Sequence, residues 1–146
     1  MALQKNAIIL VPVDFTEVAD FAVDHAVNMV LLSGGKVVLL HVINRDTEKT
    51  HSLSDSVEQA VTDKLIAIER RIKETYSVNA EHLTVAGSIF TAIGDTDDSI
   101  GANMIVMGTH GKMGIQHIVG SYAFKVITGT KVPIMVVKKK SFGAGY

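Results

Sequence analysis

A glycine-rich segment is the clearest candidate for chemistry in this sequence. Gly108, Gly111 and Gly114 place three glycines within seven residues, directly after the apolar run 104–107. Glycine lets backbone N–H groups approach a bound anion closely, and a helix that begins nearby would add the positive end of its dipole. Lys112 adds a positive charge. The segment predicts a phosphate cradle, although an ordinary structural turn accounts for three glycines equally well.

A second feature follows at Gly120 and Ser121, which interrupt a helical pattern. Glycine inside a helix costs about 1 kcal/mol relative to alanine, so Gly120 indicates close helix packing or a bound ligand. The Ser121 hydroxyl could donate a hydrogen bond to a phosphate oxygen. Neither Gly-x-x-x-x-Gly-Lys-[Ser/Thr] nor Gly-x-Gly-x-x-Gly occurs in the chain, which excludes both common nucleotide fingerprints.

The residues that end the first apolar run form a second candidate rim. Pro12 follows the run within the same predicted strand, and because proline has no N–H to donate, regular strand pairing should end there. Asp14 then follows Val13 at the strand's carboxyl end, where its carboxylate could accept hydrogen bonds from a ribose or a base edge. The simpler interpretation of Asp14 is an ordinary residue that precedes a helix.

A third rim lies at His41 and Val42, after the second apolar run. Backbone N–H and C=O groups between apolar walls are suited to the edge of a planar base. We interpret His41 as packed or hydrogen-bonded rather than catalytic. We likewise interpret His110 as a loop residue that orients its neighbours rather than as a general base.

Five strands would position these rims. Continuous apolar runs, which are typical of parallel strands covered on both faces, occur at residues 7–11, 37–40, 104–107 and 134–137. A weaker candidate at residues 83–85 is best placed at an edge. Strands that alternate with helices predict an open α/β sheet with helices on both faces.

The segments between the strands have helical spacing. The first predicted helix is capped by Thr16 and ends near Gly34, and the second runs from about Leu53 to Ile72. The third covers residues 89–100, and the fourth covers residues 115–128 and ends at Gly129. The second helix carries an apolar face that starts at Val57. Asp95, Asp97 and Asp98 predict a solvated acidic face on the third helix.

Composition excludes several classes of protein. The chain has 146 residues, a net charge of −1 and 47% hydrophobic residues, which excludes a disordered chain and disfavours an extended electrostatic footprint on DNA, while a local basic patch stays open. The absence of cysteine removes disulfides, thiolate nucleophiles and cysteine zinc sites. We expect one domain over 1–146, with a core over 7–138 and a flexible tail at 139–146. We also expect a mobile segment at 44–52, a cytoplasmic location, and neither nucleic-acid nor membrane partners.

Taken together, these segments resemble the universal stress protein family. The matching pieces are residues 9–16, 41–42, 105–111, 120–121 and 132–137. The resemblance implies a five-stranded parallel sheet of order 3-2-1-4-5, with an ATP site at the switch point. It implies that Val13 and Asp14 meet adenosine and that Val42 meets the base.

The resemblance also assigns the phosphate side of the site. Met107, Gly108 and Gly111 would meet the ribose and phosphates, and Gly120 and Ser121 the outer phosphates. The full candidate set is Pro12, Val13, Asp14, Val42, Met107, Gly108, His110, Gly111, Lys112, Gly120, Ser121 and Tyr122. Eight residues separate Gly111 from Gly120, one fewer than is usual in nucleotide-binding members.

These features predict a stress-response module that binds ATP, with or without Mg²⁺, or another adenine nucleotide. We expect no catalytic residues and no metal-ligating cluster, and therefore no fast enzyme; slow hydrolysis or self-phosphorylation stays open. The alternative is a ligand-free interaction module. Under both interpretations we expect a homodimer formed through the last strand, 133–137, because an apolar edge strand can pair with its own copy. A small hydrolase is disfavoured because Gly-x-Ser-x-Gly is absent.

Overall fold

The computed structural model describes residues 6–15, 17–43, 51–108 and 131–137. Strands and helices alternate along most of this part of the chain. The elements are β1 (Ile8–Pro12), α1 (Glu17–Ser33), β2 (Lys36–Ile43), α2 (His51–Tyr76), β3 (Asn79–Ala86), α3 (Ile89–Ile100), β4 (Met104–Gly108) and β5 (Ile134–Val137).

All five strands form one parallel sheet in the order β3-β2-β1-β4-β5, as predicted. The edge position predicted for residues 83–85 is confirmed, because β3 is one edge of the sheet and β5 is the other. β3 is longer than the apolar pattern indicated: its eight residues all pair with β2, from Lys36–Asn79 to Ile43–Ala86.

One face of the sheet packs against α1 and α2. Ala22 and Ala26 of α1 and Leu65 and Ile72 of α2 are fully buried against the odd-numbered residues of β1. The predicted apolar face of α2 is wrong at its start, because Val57 is 37% exposed. The stripe is buried only from Val61 onward, so periodicity identified the face but not where it meets the sheet.

The other face of the sheet packs against α3. Leu10, Leu40, Ile105 and Met107 are buried around Ile93, which projects from α3. The predicted bounds of this helix are confirmed, and the helix continues through its internal glycine. The two buried faces explain why the strands are apolar along their length rather than alternating.

The amino end of the sheet is held by close backbone contacts. Gly34 has a positive φ of 70° and donates to the Val30 carbonyl at 2.8 Å, which confirms the predicted end of α1. A Cβ atom on Gly35 would lie 2.0 Å from the Ala7 carbonyl oxygen, so only glycine fits between α1 and β2. Asn103 joins β4 to β1 twice: its N–H donates to the Ile8 carbonyl, and its Oδ1 accepts from the Ile8 N–H, both at 2.8 Å.

Some predicted features lie outside the described residues. These are the Thr16 cap, the segment 44–50, the fourth helix with Gly129, and the tail 139–146. His51 and Ser52, which we expected to be mobile, belong to α2. None of the helices that the structure describes combines the length and the apolar character needed to cross a bilayer.

Candidate functional site

A crevice opens where β1 and β4 separate. Their pairing covers only Ile9–Met104 and Leu10–Ile105. Beyond this point β1 stays with β2 as far as Pro12, while β4 stays with β5 as far as Gly108. The sheet order reverses between these two strands, and in open parallel sheets the crevice at such a switch point is where ligands bind.

Pro12 contributes to this separation. The Val13 N–H faces β2, where it donates to the Leu40 carbonyl at 2.8 Å. Because successive backbone groups of a strand alternate sides, the Pro12 nitrogen faces β4 and has no hydrogen to donate. The prediction that regular pairing ends at Pro12 is therefore confirmed, on the side that faces the crevice.

Val13 is fixed on both of its backbone groups. In addition to its N–H bond to β2, its carbonyl accepts a hydrogen bond from Nδ1 of His41 at 2.9 Å. The carbonyl can only accept, so His41 carries its proton on Nδ1. The interpretation of His41 as a hydrogen-bonded residue is confirmed, and its contact is with the loop that carries Asp14.

Phe15 completes this arrangement on the other side of Asp14. It has a φ of 65°, the left-handed region that costs a residue with a side chain about 1–2 kcal/mol. Its ring stacks on that of His41, with centroids 4.9 Å apart, and Lys64 Nζ lies 5.0 Å from the Phe15 ring centroid. Stacking contributes about 1 kcal/mol and an exposed cation–π contact about 0.5–1 kcal/mol, so the two contacts offset the strain.

Asp14 is half-buried at the mouth of the crevice and lies in an acidic environment. Partial burial raises the pKa of the nearby Asp20 carboxyl. The Arg71 guanidinium opposes this rise in pKa, while the carboxylates of Asp24, Glu17 and Asp14 add to it. Arg71 is also paired with Asp24 at 3.5 Å. The carboxylate of Asp14 thus lies close enough to the carboxylates of α1 to affect the pKa of Asp20, and Arg71 is the opposing positive charge.

Met107 and Gly108 form the opposite wall. Both are buried at the end of β4, and Gly108 pairs with Val137 of β5. Val42 is half-buried at the end of β2, in register with Val85, and packs against the core on the α3 side. The structure thus places Pro12, Val13, Asp14, Val42, Met107 and Gly108 at one end of the sheet. The remaining candidates, His110, Gly111, Lys112, Gly120, Ser121 and Tyr122, lie outside the described residues.

A depression of about 600 Å³ adjoins this end of the sheet and was not predicted from the sequence. Its polar lining comes from Ser88, Thr91, Asp95 and Thr96, on the turn after β3 and on α3. It begins at Val85, directly beside Val42. The Gly87–Ser88 pair at the end of β3 could have indicated the turn that lines it, because glycine and serine are typical of turns.

The predicted acidic face of α3 is wrong for one residue. Asp95 and Asp98 are exposed, but Asp97 is only 4% exposed. Among the described residues, its Oδ1 has no hydrogen-bond partner. Burial raises the pKa of Asp97, the Asp98 carboxylate raises it further, and Lys131 lowers it. The position follows from helical spacing, since Asp97 lies four residues after the buried Ile93.

The fold and crevice define an open parallel α/β domain with its candidate site at the topological switch point. The chain belongs to the universal stress protein family, whose sequence profile matches residues 5–138. A curated relative is universal stress protein MJ0577 of Methanocaldococcus jannaschii. It is 26% identical over 155 residues, which cover 91% of this chain and 95% of its own length.

Solved structures agree with this assignment. That of MJ0577 has a TM-score of 0.72 at 28% identity, covering 93% of this chain and 98% of its own. A universal stress protein in complex with cAMP has a TM-score of 0.69 at 19% identity, and the match covers 92% of this chain and 98% of that protein. A universal stress protein from Archaeoglobus fulgidus in complex with dAMP has a TM-score of 0.66 at 20% identity, and the match covers 90% of this chain and 97% of that protein. At these identities, the last two comparisons show that the proteins share a fold with this chain.

Proposed function

We propose that this chain binds an adenine nucleotide in the crevice between β1 and β4. The observation that carries the proposal is the end of their pairing at Leu10–Ile105, which leaves Val13 and Asp14 on one wall and Gly108 on the other. The complexes of related proteins with cAMP and dAMP support an adenine nucleotide as the ligand class. Among adenine nucleotides, we propose ATP, with or without Mg²⁺, as the ligand.

Each wall has chemistry suited to a different part of the nucleotide. The Asp14 carboxylate would accept a hydrogen bond from a ribose hydroxyl, and Val42 would supply apolar contact to the base. Backbone N–H groups that begin at Gly108 and continue to Gly111 would bind the phosphates. Gly120 and Ser121 would meet the outer phosphates.

We propose that the nucleotide serves a cytoplasmic regulatory module in stress response rather than a fast enzyme. The sequence lacks the Walker A and Gly-x-Ser-x-Gly motifs that would supply an established route to hydrolysis. A switch-point crevice with backbone donors holds a nucleotide without requiring its cleavage. Turnover of ATP below one cycle per minute by the purified protein would agree with this proposal, and rapid turnover would contradict it.

Isothermal titration calorimetry with ATP–Mg²⁺ tests the binding site. Replacing Asp14 by alanine should weaken binding about 10- to 100-fold, because a hydrogen bond to a charged group contributes about 1.5–3 kcal/mol. Asp98→Ala, which removes an exposed carboxylate from α3, is the matched control and should bind like wild type. Absence of heat with wild type would contradict nucleotide binding. A loss with Asp95→Ala but not with Asp14→Ala would place the nucleotide in the β3 depression instead.

We also propose that two copies pair through residues 133–137. β5 is an edge of the sheet and Val136 is 41% exposed, so its apolar surface is available to a second copy. Val136→Lys should convert a dimer to a monomer in analytical ultracentrifugation without changing nucleotide affinity. Thr84→Lys, on the opposite edge strand, is the control and should leave the dimer intact.

The same strand supports the alternative of a ligand-free interaction module. Mass spectrometry of small molecules released from freshly purified protein separates the two functions. An adenine nucleotide in stoichiometric amount favours the binding module. Dimeric protein that neither releases nor takes up a nucleotide favours the interaction module.

A further inference from the structure

One histidine of the neighbouring strand contacts the turn that carries Asp14 on both sides of that residue. His41 donates from Nδ1 to the carbonyl of Val13, the residue before Asp14, at 2.9 Å. The face of the same ring stacks on Phe15, the residue after Asp14, at 4.9 Å between centroids. Asp14 is therefore the middle residue of three, and both of its neighbours contact the same imidazole.

We propose that His41 is a positioning residue for the crevice. Its ring sets the direction in which Asp14 projects, through the hydrogen bond to Val13 and through the stacking contact with Phe15. Its effect on affinity rests on the proposed function, since it acts through the residue assigned to the ribose. The direction of Asp14 itself is a property of the protein without nucleotide, and it can be measured independently.

The two contacts use different parts of the imidazole, which explains why histidine is suited to this position. Nδ1 supplies the donor and the ring face supplies the stacking surface. Phenylalanine would keep the face and lose the donor. Asparagine would keep a donor on the same γ carbon and lose the face. His41→Phe and His41→Asn therefore separate the two contacts.

The arrangement also links α2 to the crevice. Lys64 Nζ lies 5.0 Å from the centroid of the Phe15 ring, so α2 contacts the turn through Phe15. The left-handed φ of Phe15 persists because these contacts offset its strain. Lys64 is exposed, so Lys64→Ala should have a smaller effect on the direction of Asp14 than either substitution of His41.

The first experiment is NMR spectroscopy of the protein without nucleotide. In His41→Phe, the carbonyl carbon resonance of Val13 should move upfield, because its oxygen loses the hydrogen bond from Nδ1. The residual dipolar coupling of the Asp14 N–H bond should also change. His41→Asn should restore the Val13 carbonyl shift while the Asp14 coupling stays altered. An unchanged carbonyl shift and coupling in His41→Phe would overturn the proposal.

The matched control is His25, which makes the same kind of contact elsewhere. Its Nδ1 lies 2.9 Å from the Phe21 carbonyl on the exposed side of α1. His25→Phe should leave the Val13 carbonyl shift and the Asp14 coupling at their wild-type values. Equal changes in His25→Phe and His41→Phe would mean a general loosening of the fold, and would overturn a specific role for His41.

The second experiment measures ATP affinity in a double-mutant cycle. His41→Phe should bind ATP about fivefold more weakly, in line with the loss of one hydrogen bond. The double variant with Asp14→Ala should bind no more weakly than Asp14→Ala alone, because His41 acts through Asp14. Fully additive losses would overturn the proposal. If wild type binds no ATP, the proposed function fails, and the NMR experiment alone decides whether His41 sets the direction of Asp14.

Discussion

The two ends of the β1–β4 pair differ in how they are held. At the amino end Asn103 bonds to both backbone groups of Ile8, and Gly35 lies against Ala7 with no room for a side chain. At the carboxyl end the pairing with β4 stops at Leu10–Ile105, while β1 stays paired with β2 as far as Pro12. The strands thus diverge from a closed end toward an open one.

This difference indicates how a regular sheet accommodates a ligand site without losing its core. Beyond Leu10, β1 keeps its hydrogen bonds on the β2 side, where Val13 donates to Leu40 and accepts from His41. A crevice at the carboxyl end is therefore compatible with a stable sheet, because β1 stays bonded to β2 there and Pro12 has no N–H to leave without a partner on the crevice side. Contacts at the amino end should accordingly affect stability most, and contacts at the carboxyl end should affect binding most.

The largest expected effect is that of Gly35→Ala. The added Cβ would lie 2.0 Å from a backbone oxygen and 2.6 Å from a backbone nitrogen of Ala7, at a φ of 146°. Neither backbone atom can move without shifting β1, so the free energy of unfolding should fall by about 3 kcal/mol or more. Urea denaturation measures this change in the free energy of unfolding. Gly94→Ala is the control, because its Cβ would meet nothing within 4 Å. Equal tolerance of both substitutions would contradict a closed amino end.

Asn103→Ala should have the next largest effect. It leaves the Ile8 N–H without its side-chain acceptor, at a cost of about 1–3 kcal/mol in the free energy of unfolding. Exchange of the Ile8 amide should speed up in NMR spectra. Asn28→Ala, at an exposed position of α1, is the control. A stability within 0.5 kcal/mol of wild type, a difference typical of surface substitutions, would show that the β1–β4 contact does not depend on Asn103.

The smallest effect is expected for Asp97→Asn, near the amino end of the same sheet. Burial raises the pKa of Asp97 in the folded protein, so folding favours the neutral acid. Wild-type stability should therefore fall as the pH rises above about 4, the pKa of an unfolded aspartate, and through the raised folded value. The asparagine variant should unfold at a higher temperature at pH 8, and the gain should disappear near pH 3.

Calorimetric scans at the two pH values measure this difference, with Asp98→Asn as the exposed control. A gain for Asp97→Asn that is the same at pH 3 and pH 8 would mean that charge burial is not its cause. A loss at pH 8 would mean that the carboxylate has a stabilising partner.

Much of this architecture is predictable from local pattern. Continuous apolar runs identified the four main strands, and Pro12 marked where β1 leaves β4, because both signals depend on residue type alone. The burial of Asp97 and the exposure of Val57 were not predictable from charge or periodicity, since they depend on where each helix crosses the sheet. The double contact of His41 was missed for a related reason: Val13 and Phe15 meet it only after β1 and β2 pair.

The measurement that tests the central claim most directly is an NMR titration of the isotope-labelled protein with ATP–Mg²⁺. If the nucleotide lies in the crevice, amide shifts should be largest at Val13, Asp14, Val42 and Gly108. Those of Leu31 and Leu32, at the far end of α1, should not move. Saturating shifts on both walls of the crevice would confirm the account. An unchanged spectrum, or shifts confined to the depression after β3, would contradict it.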